Sequence, residues 1–381
     1  MLFTFAFFKL SGQNQKMNWY FGYGAAITFS SGSPEVLTDN PLTHESGTSA
    51  SISDKNTGEL LFYTNGIKLM DGDHQLVKDN LLPFNPLIRD VLIIENELKV
   101  NSYFLVILAH GVNFPGRPSL SYYVIDMVNG KPIMNEAVSF ASGQFQKITA
   151  VKNCRTGGSW LLTYEAIGDE MLAFNVGVTS ISPFPVRSPV GVELSYIGDI
   201  VSNSTGELVA ISEYSSGTDT PHVVVMKMDK QCGTLSDAKV YYYPLGDYAF
   251  GLAFSPSDRY LYVTYSVWGS DLVQFEISNG DHITISHSTN NYNELQTAPD
   301  GKIYMATGQD AISGQRLAVI HEPDKRDIDC NFETDAIDLG NGRAANFHLP
   351  NFVQDYSENS CEYKNPEFEI ENLCLGKALE I

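Results

Sequence analysis

Basic residues are scarce in this 381-residue chain, with 24 Lys and Arg against 45 Asp and Glu and a formal net charge of -21. Such a charge repels phosphate backbones and anionic lipid, so nucleic acid and membrane surfaces are poor partners. Long apolar runs are also lacking. Past the opening "MLFTFAFFKLSG" no segment approaches the length of a membrane span. The five cysteines, Cys154, Cys232, Cys330, Cys361 and Cys374, form no CxxC and no Cys/His spacing typical of zinc, so no metal is expected. In an oxidising compartment they allow two bridges and leave one thiol over. Also missing are GxSxG, HExxH, a P-loop and a GxGxxG after a strand, so no catalytic residue and no cofactor is assigned. "SDKNTG" and "APDG" lack the ligand series of an EF-hand and read as Asx-stabilised turns.

What is present is β-prone. Aromatics make up 12% of the chain, with 20 Tyr and 21 Phe, and no low-complexity tract interrupts it. Six phrases align on their central turns: "TSASISDKNTGELLFYT", "DVLIIENELKVNSYFLVILA", "KITAVKNCRTGGSWLLTYEA", "IGDIVSNSTGELVAISEY", "FGLAFSPSDRYLYVTYS" and "NELQTAPDGKIYMATG". Gly58, Gly157, Gly206 and Gly301 stand where a tight turn needs positive φ, and Pro256 and Pro299 preset a turn's first residue. Each hairpin is followed by a third apolar strand, such as "HVVVMKM" or "RLAVIHEP". A unit of several strands recurring every roughly 40 to 50 residues indicates an all-β fold of propeller blades. Six blades leave "NWYFGYGAAITF" and "RAANFHLPNFVQDY" unmatched. Pairing residues 19–29 with residues near 346–355 makes a seventh blade and closes the ring. Seven four-stranded blades closed by the chain's two ends are therefore predicted.

The opening "NWYFGYGAAITFSSGSP", then "SISDKNTGELLFYTNGIKLMDGDHQLV", "LQTAPDGKIYMA" and "HLPNFVQDY" resemble the N-terminal propeller of large cell-surface proteins of the Bacteroidota. Those modular proteins carry gliding-motility-associated, type IX secretion sorting domains at their far C-terminus. The resemblance runs from about Asn18 to Tyr356, and it implies export, surface display and further domains of the same protein. Residues 1–17 read accordingly as a signal peptide and leader, although no basic n-region precedes them and Lys9 sits inside them; a buried first strand is the alternative. Residues 18–356 are the propeller. Residues 357–381 read as a linker and the start of a truncated Ig-like or PKD-type module, or else as a tail folded back on the ring.

Asn65, His110, Glu165, Glu213, Tyr214 and Trp268 fall at or just past the end of the second strand of their blades, or in the next loop. They are expected around one mouth of the channel, where Trp268 and Tyr214 would give flat apolar contact and the carboxylates polar orientation to a glycan or protein ligand. Solvated loop ends are the bland alternative. Phe145, Tyr196, Tyr248 and Tyr292 precede the first strand of four blades and read as packing between blades. The leading functional expectation is a non-enzymatic, adhesin-like recognition or display module at the cell surface. A propeller glycoside hydrolase or polysaccharide lyase, with Glu165 and Glu213 as its first candidates, and a structural spacer are the alternatives.

Overall fold

The computed structural model describes residues 11–43, 48–83, 87–110, 118–166, 168–194, 198–213, 222–244, 248–266, 269–308, 312–355 and 361. Each expected hairpin is present, and its turn chemistry is the one the residues dictate. In the Asp54 turn the side-chain Oδ1 accepts from the backbone of Asn56 and Thr57, while Gly58 takes φ +77 and donates to the Asp54 carbonyl. Asn153 and Gly157 repeat this arrangement one hundred residues on. Where no glycine is available, Asn101 and Asp258 adopt the left-handed conformation at φ +56 and +59. Asn and Asp tolerate that region better than other L-residues.

The strands form seven antiparallel sheets in chain order, the blades of a seven-bladed β-propeller. Blade 1 covers 18–37, blade 2 covers 50–78, blade 3 covers 87–142, blade 4 covers 149–194, blade 5 covers 200–242, blade 6 covers 249–288 and blade 7 covers 292–338. Seven apolar clusters fill the seven seams between neighbouring blades, the last joining blade 7 to blade 1. Each large apolar side chain buried there contributes about 1.5–3 kcal/mol, so the seams hold the ring together. Phe145 and Tyr292 lie in such seams, while Tyr248 is partly exposed and Tyr196 lies outside the described residues. At the closing seam Trp19 is fully buried, with its ring 5.2 Å from Phe29, 5.6 Å from Tyr304 and 5.9 Å from Phe352.

Closure differs in detail from the sequence expectation. Residues 18–37 supply three strands of blade 1 themselves, including Glu35–Leu37, a short strand that the Gly/Ser/Pro-rich "SSGSP" conceals. The C-terminal partner is Ala344, two residues before the expected stretch, and it exchanges both backbone hydrogen bonds with Tyr23 at 2.7 and 3.0 Å. Residues 346–355 then leave the sheet for the channel. Pro350 has no N–H to donate to a ladder and makes an isolated parallel bridge to Ser49, just before blade 2.

Gly22 makes that junction possible. Its φ is +52, and a Cβ there would lie 2.1 Å from the Ala344 carbonyl oxygen. Gly22→Val should therefore lower stability by about 3 kcal/mol or more in urea unfolding. Gly32→Ala, with φ +89 and nothing within 4 Å, should cost only about 1 kcal/mol. Equal losses in the two variants would show that the Tyr23–Ala344 junction does not hold the ring.

Candidate binding site at the channel mouth

Successive strands of each blade are antiparallel, so the connections alternate between the two ends of the ring. The first hairpin turns lie at one end. The second-strand exits and the starts of the innermost strands lie at the other, which forms the mouth. Topology thus gathers Asn65, His110, Glu165 and Glu213 at one end, yet no contact joins them among the described residues. Asn65 is buried, and its Oδ1 accepts from the backbone of Ile67 and Lys68, tying down its own turn. Glu165 bridges Phe145 through the backbone, with its carboxylate close over Gly143. Glu213 is buried with Oε2 3.0 Å from His222 Nε2. His110 ends its strand opposite Leu87 and is partly exposed. Tyr214 and Trp268 lie outside the described residues.

The channel itself is occupied by the chain. From Ala345, whose N–H donates to Gly314, residues 345–355 run from the mouth toward the hairpin end. Glu294 of blade 7 is the first anchor: its carboxylate accepts from Leu349 N–H at 2.8 Å and lies 3.0 Å from His348 Nδ1. The His348 ring also lies 6.1 Å from Phe250 of blade 6. Asn351 donates its backbone N–H to Ser49, just before blade 2, and its amide donates to Asp90 of blade 3 at 3.3 Å and to the Ile148 carbonyl, just before blade 4, at 3.0 Å. Asp355 accepts from Lys152 N–H at 2.8 Å and pairs with Lys230 at 3.3 Å, its carboxylate resting on Gly206 of blade 5. With Tyr23 in blade 1 and Ser49 at the entry to blade 2, the segment from Ala344 to Asp355 reaches all seven blades. Beside it, near Lys147 and Asn351, a cavity of about 20 Å³ remains, the room of a single water. Beyond it Cys361 is disulfide-bonded to Cys154 in the first turn of blade 4. Cys232 is also in a disulfide, and Cys330 is a buried free thiol.

Four charged residues ring the segment at the starts of the innermost strands: Asp90, Lys147, Asp199 and Glu294. Sequence reading passed over them, although each directly precedes an apolar residue, Val91, Ile148, Ile200 or Leu295, at or near the start of the innermost strand in blades 3, 4, 5 and 7. Burial opposes charge on Lys147, but Glu294 at 2.8 Å, Asp90 and Asp199 hold its ammonium above the usual lysine range. Burial likewise works against the Glu294 carboxylate, yet Lys147 and His348 hold it down at about 2. Lys147 and the Ile200 N–H favour the Asp199 carboxylate as well, but burial outweighs them. Burial, with Glu294 and Asp90 adding repulsion, pushes its carboxyl up to about 7. Burial raises the Asp90 carboxyl too, so the arrangement holds two carboxyls above their ordinary range, walled in by the chain's own segment. Among the described residues no group of three or more His, Cys, Asp or Glu side chains is placed to hold a metal ion.

No protein-family model and no curated protein matches the chain. Among solved structures, a presumed 6-phosphogluconolactonase from Bacteroides uniformis is similar over 88% of this chain and 99% of its own, at 14% identity and a TM-score of 0.55. That likeness shows the propeller fold and nothing about activity. The periplasmic gluconolactonase of Pseudomonas aeruginosa (15% identity, 66% of this chain and 73% of its own, TM-score 0.44) is a more distant match. So is the soluble aldose sugar dehydrogenase of Escherichia coli (10% identity, 65% and 89%, TM-score 0.43).

The raised Asp199 carboxyl has a signed consequence for stability. Its folded value lies above its unfolded one, so its contribution is full below about pH 4 and is lost as pH rises to about 7. Glu294 acts oppositely, its contribution present above about pH 4.5 and lost as pH falls. Asp199→Asn should therefore flatten the decline between pH 5 and 8 and leave the variant about 1–2 kcal/mol more stable than the parent at pH 8. Urea unfolding across that range checks this. An unchanged slope in Asp199→Asn would place the titrating group elsewhere.

Proposed function

We propose that this propeller is a non-enzymatic recognition or display module of an exported cell-surface protein, binding a glycan or protein ligand at the mouth end of the ring. The observation that carries the reading is the occupied channel. A substrate entering along the axis would have to displace a segment seated on all seven blades and backed by the Cys154–Cys361 disulfide. Binding is then left to the rim, where the second-strand exits stand. Structural disulfides persist in oxidising compartments, which supports export. The resemblance of the opening and closing phrases to Bacteroidota surface propellers supports display, a type IX secretion route and further domains.

A glycan array together with turnover assays on polysaccharides tests this reading. Array binding without turnover is expected. Cleavage that Glu165→Gln or Glu213→Gln abolishes would replace the proposal with the hydrolase or lyase alternative, and neither binding nor cleavage would favour the spacer. Fractionation of the native organism should place the protein at the surface or in the medium; an intact cytosolic chain would overturn export. The mature chain should start no later than Asn14. Asn14 donates to the Lys55 carbonyl, Lys16 is buried against Gln354, and Met17 is in the core, so later cleavage would strip docked residues from the ring.

The bridge gives a further check. Closing a loop of 207 residues restrains the unfolded chain, so Cys154→Ser should cost about 2–5 kcal/mol. A melting temperature that neither this variant nor added reductant lowers would remove the disulfide from the account.

A further inference from the structure

At the mouth of blade 3 Arg89 has no counter-charge among the described residues. In the innermost pair of this blade Leu87 faces His110 and Ile88 faces Ala109, but the next pair is Asp90 with Leu108, so Arg89 is the extra residue of a β-bulge. A bulge releases a residue from the strand's alternation and re-aims its side chain, a device common beside functional sites. Neighbouring Asp90 is turned elsewhere, its carboxylate accepting from Thr48, Val91, Ile148 and Asn351.

Arg89 is half-buried. Its Nε and the Nε2 of His110 are both shielded from water and have no hydrogen-bond partner among the described residues. Arg89 makes no ion pair there either. Burial alone lowers its pKa, and burial together with the Arg89 charge lowers that of His110, so the two side chains are electrostatic neighbours. In a chain of net charge -21, an arginine that meets no carboxylate among the described residues stands out. A partly desolvated guanidinium left unpaired is costly, and its planar fork suits two carboxylate oxygens at once.

We infer that Arg89 and His110 form a binding site for a singly charged carboxylate, such as that of a sugar acid. The ligand is singly charged because the acidic surface repels a polyanion at long range, while the guanidinium attracts one carboxylate at short range. The inference rests on the recognition reading above and gives that ligand its chemistry.

The test follows the Arg89 Nε–H resonance of the full chain by NMR, titrating with sodium glucuronate, glucose, polygalacturonate and sodium chloride at matched ionic strength. Glucuronate should move the signal saturably, with glucose and chloride leaving it in place and polygalacturonate binding no more tightly per carboxylate. Calorimetric affinity for glucuronate should fall at least about tenfold in Arg89→Gln and about threefold in His110→Ala. Arg89→Lys, which keeps the charge and loses the fork, should also weaken it, and it serves if the glutamine variant does not fold. Equal shifts with chloride, tighter polygalacturonate binding, or unchanged affinity in the folded Arg89 variants would overturn the site. Array binding that survives Arg89→Gln would remove this site and keep the recognition reading. A glucuronate shift without any array binding would do the reverse.

Discussion

The seating of residues 344–355 in the channel is the constraint on which the rest of the molecule depends. Sheets arranged in a ring gain from each seam they bury, but a ring open at one seam exposes two apolar faces and two sheet edges at once. Here the closing seam between blades 7 and 1 is built from Trp19, Phe29 and Tyr304, and Leu349 and Phe352 of the channel segment are part of the same cluster. Closing the ring and filling its axis are therefore one event. The backbone exchange between Tyr23 and Ala344 brings the chain to the point from which it turns inward.

The polar lining determines how the segment sits. Buried ion pairs give modest net stability because desolvation offsets much of their attraction, whereas an unpaired buried charge is strongly destabilising. Lys147 and Glu294 satisfy each other, and Glu294 spends its remaining acceptor capacity on His348 and Leu349. Asn351 answers Asp90 and the Ile148 carbonyl. Sliding the segment by one residue would leave several of these groups buried and unanswered. The apolar contacts hold the segment in the ring, and the polar contacts select its register. At Asp199 the pull of Lys147 does not offset burial and the repulsion of Glu294 and Asp90, so its carboxyl is pushed up to about 7.

How far the sequence discloses this follows from where local chemistry decides the structure. The six hairpins were legible because turn geometry is fixed within a few residues: an Asn or Asp accepting from the backbone, and a glycine at φ between +69 and +79 at Gly58, Gly157, Gly206 and Gly301. Seven blades were legible from the two unmatched ends. The strand Glu35–Leu37 was not, since three residues after a polar turn carry no alternation to read. Glu213 was placed on an open rim from its position alone, and only tertiary packing shows it buried against His222. The channel quartet was hidden for a related reason. A single charge before an apolar strand looks like a solvated loop end, and its burial depends on a segment some fifty to two hundred and sixty residues away.

The two ends of the ring thus have different work to do. At the hairpin end the turns are short and regular, Gly206 leaves room for the Asp355 carboxylate, and Cys154 is bonded to Cys361. At the mouth the inner pairs of blades 3, 6 and 7 all lose register near the start of the innermost strand. In blade 6 this irregularity accompanies close packing: a Cβ on Gly251 would lie 2.4 Å from the Asn293 carbonyl oxygen of blade 7. In blade 3 the extra residue is Arg89, which the bulge leaves out of the pairing. A propeller whose axis is already filled has little interior to offer a ligand, so its specificity has to come from side chains at the rim. Broken pairing at the starts of the inner strands supplies them there without disturbing the seams below.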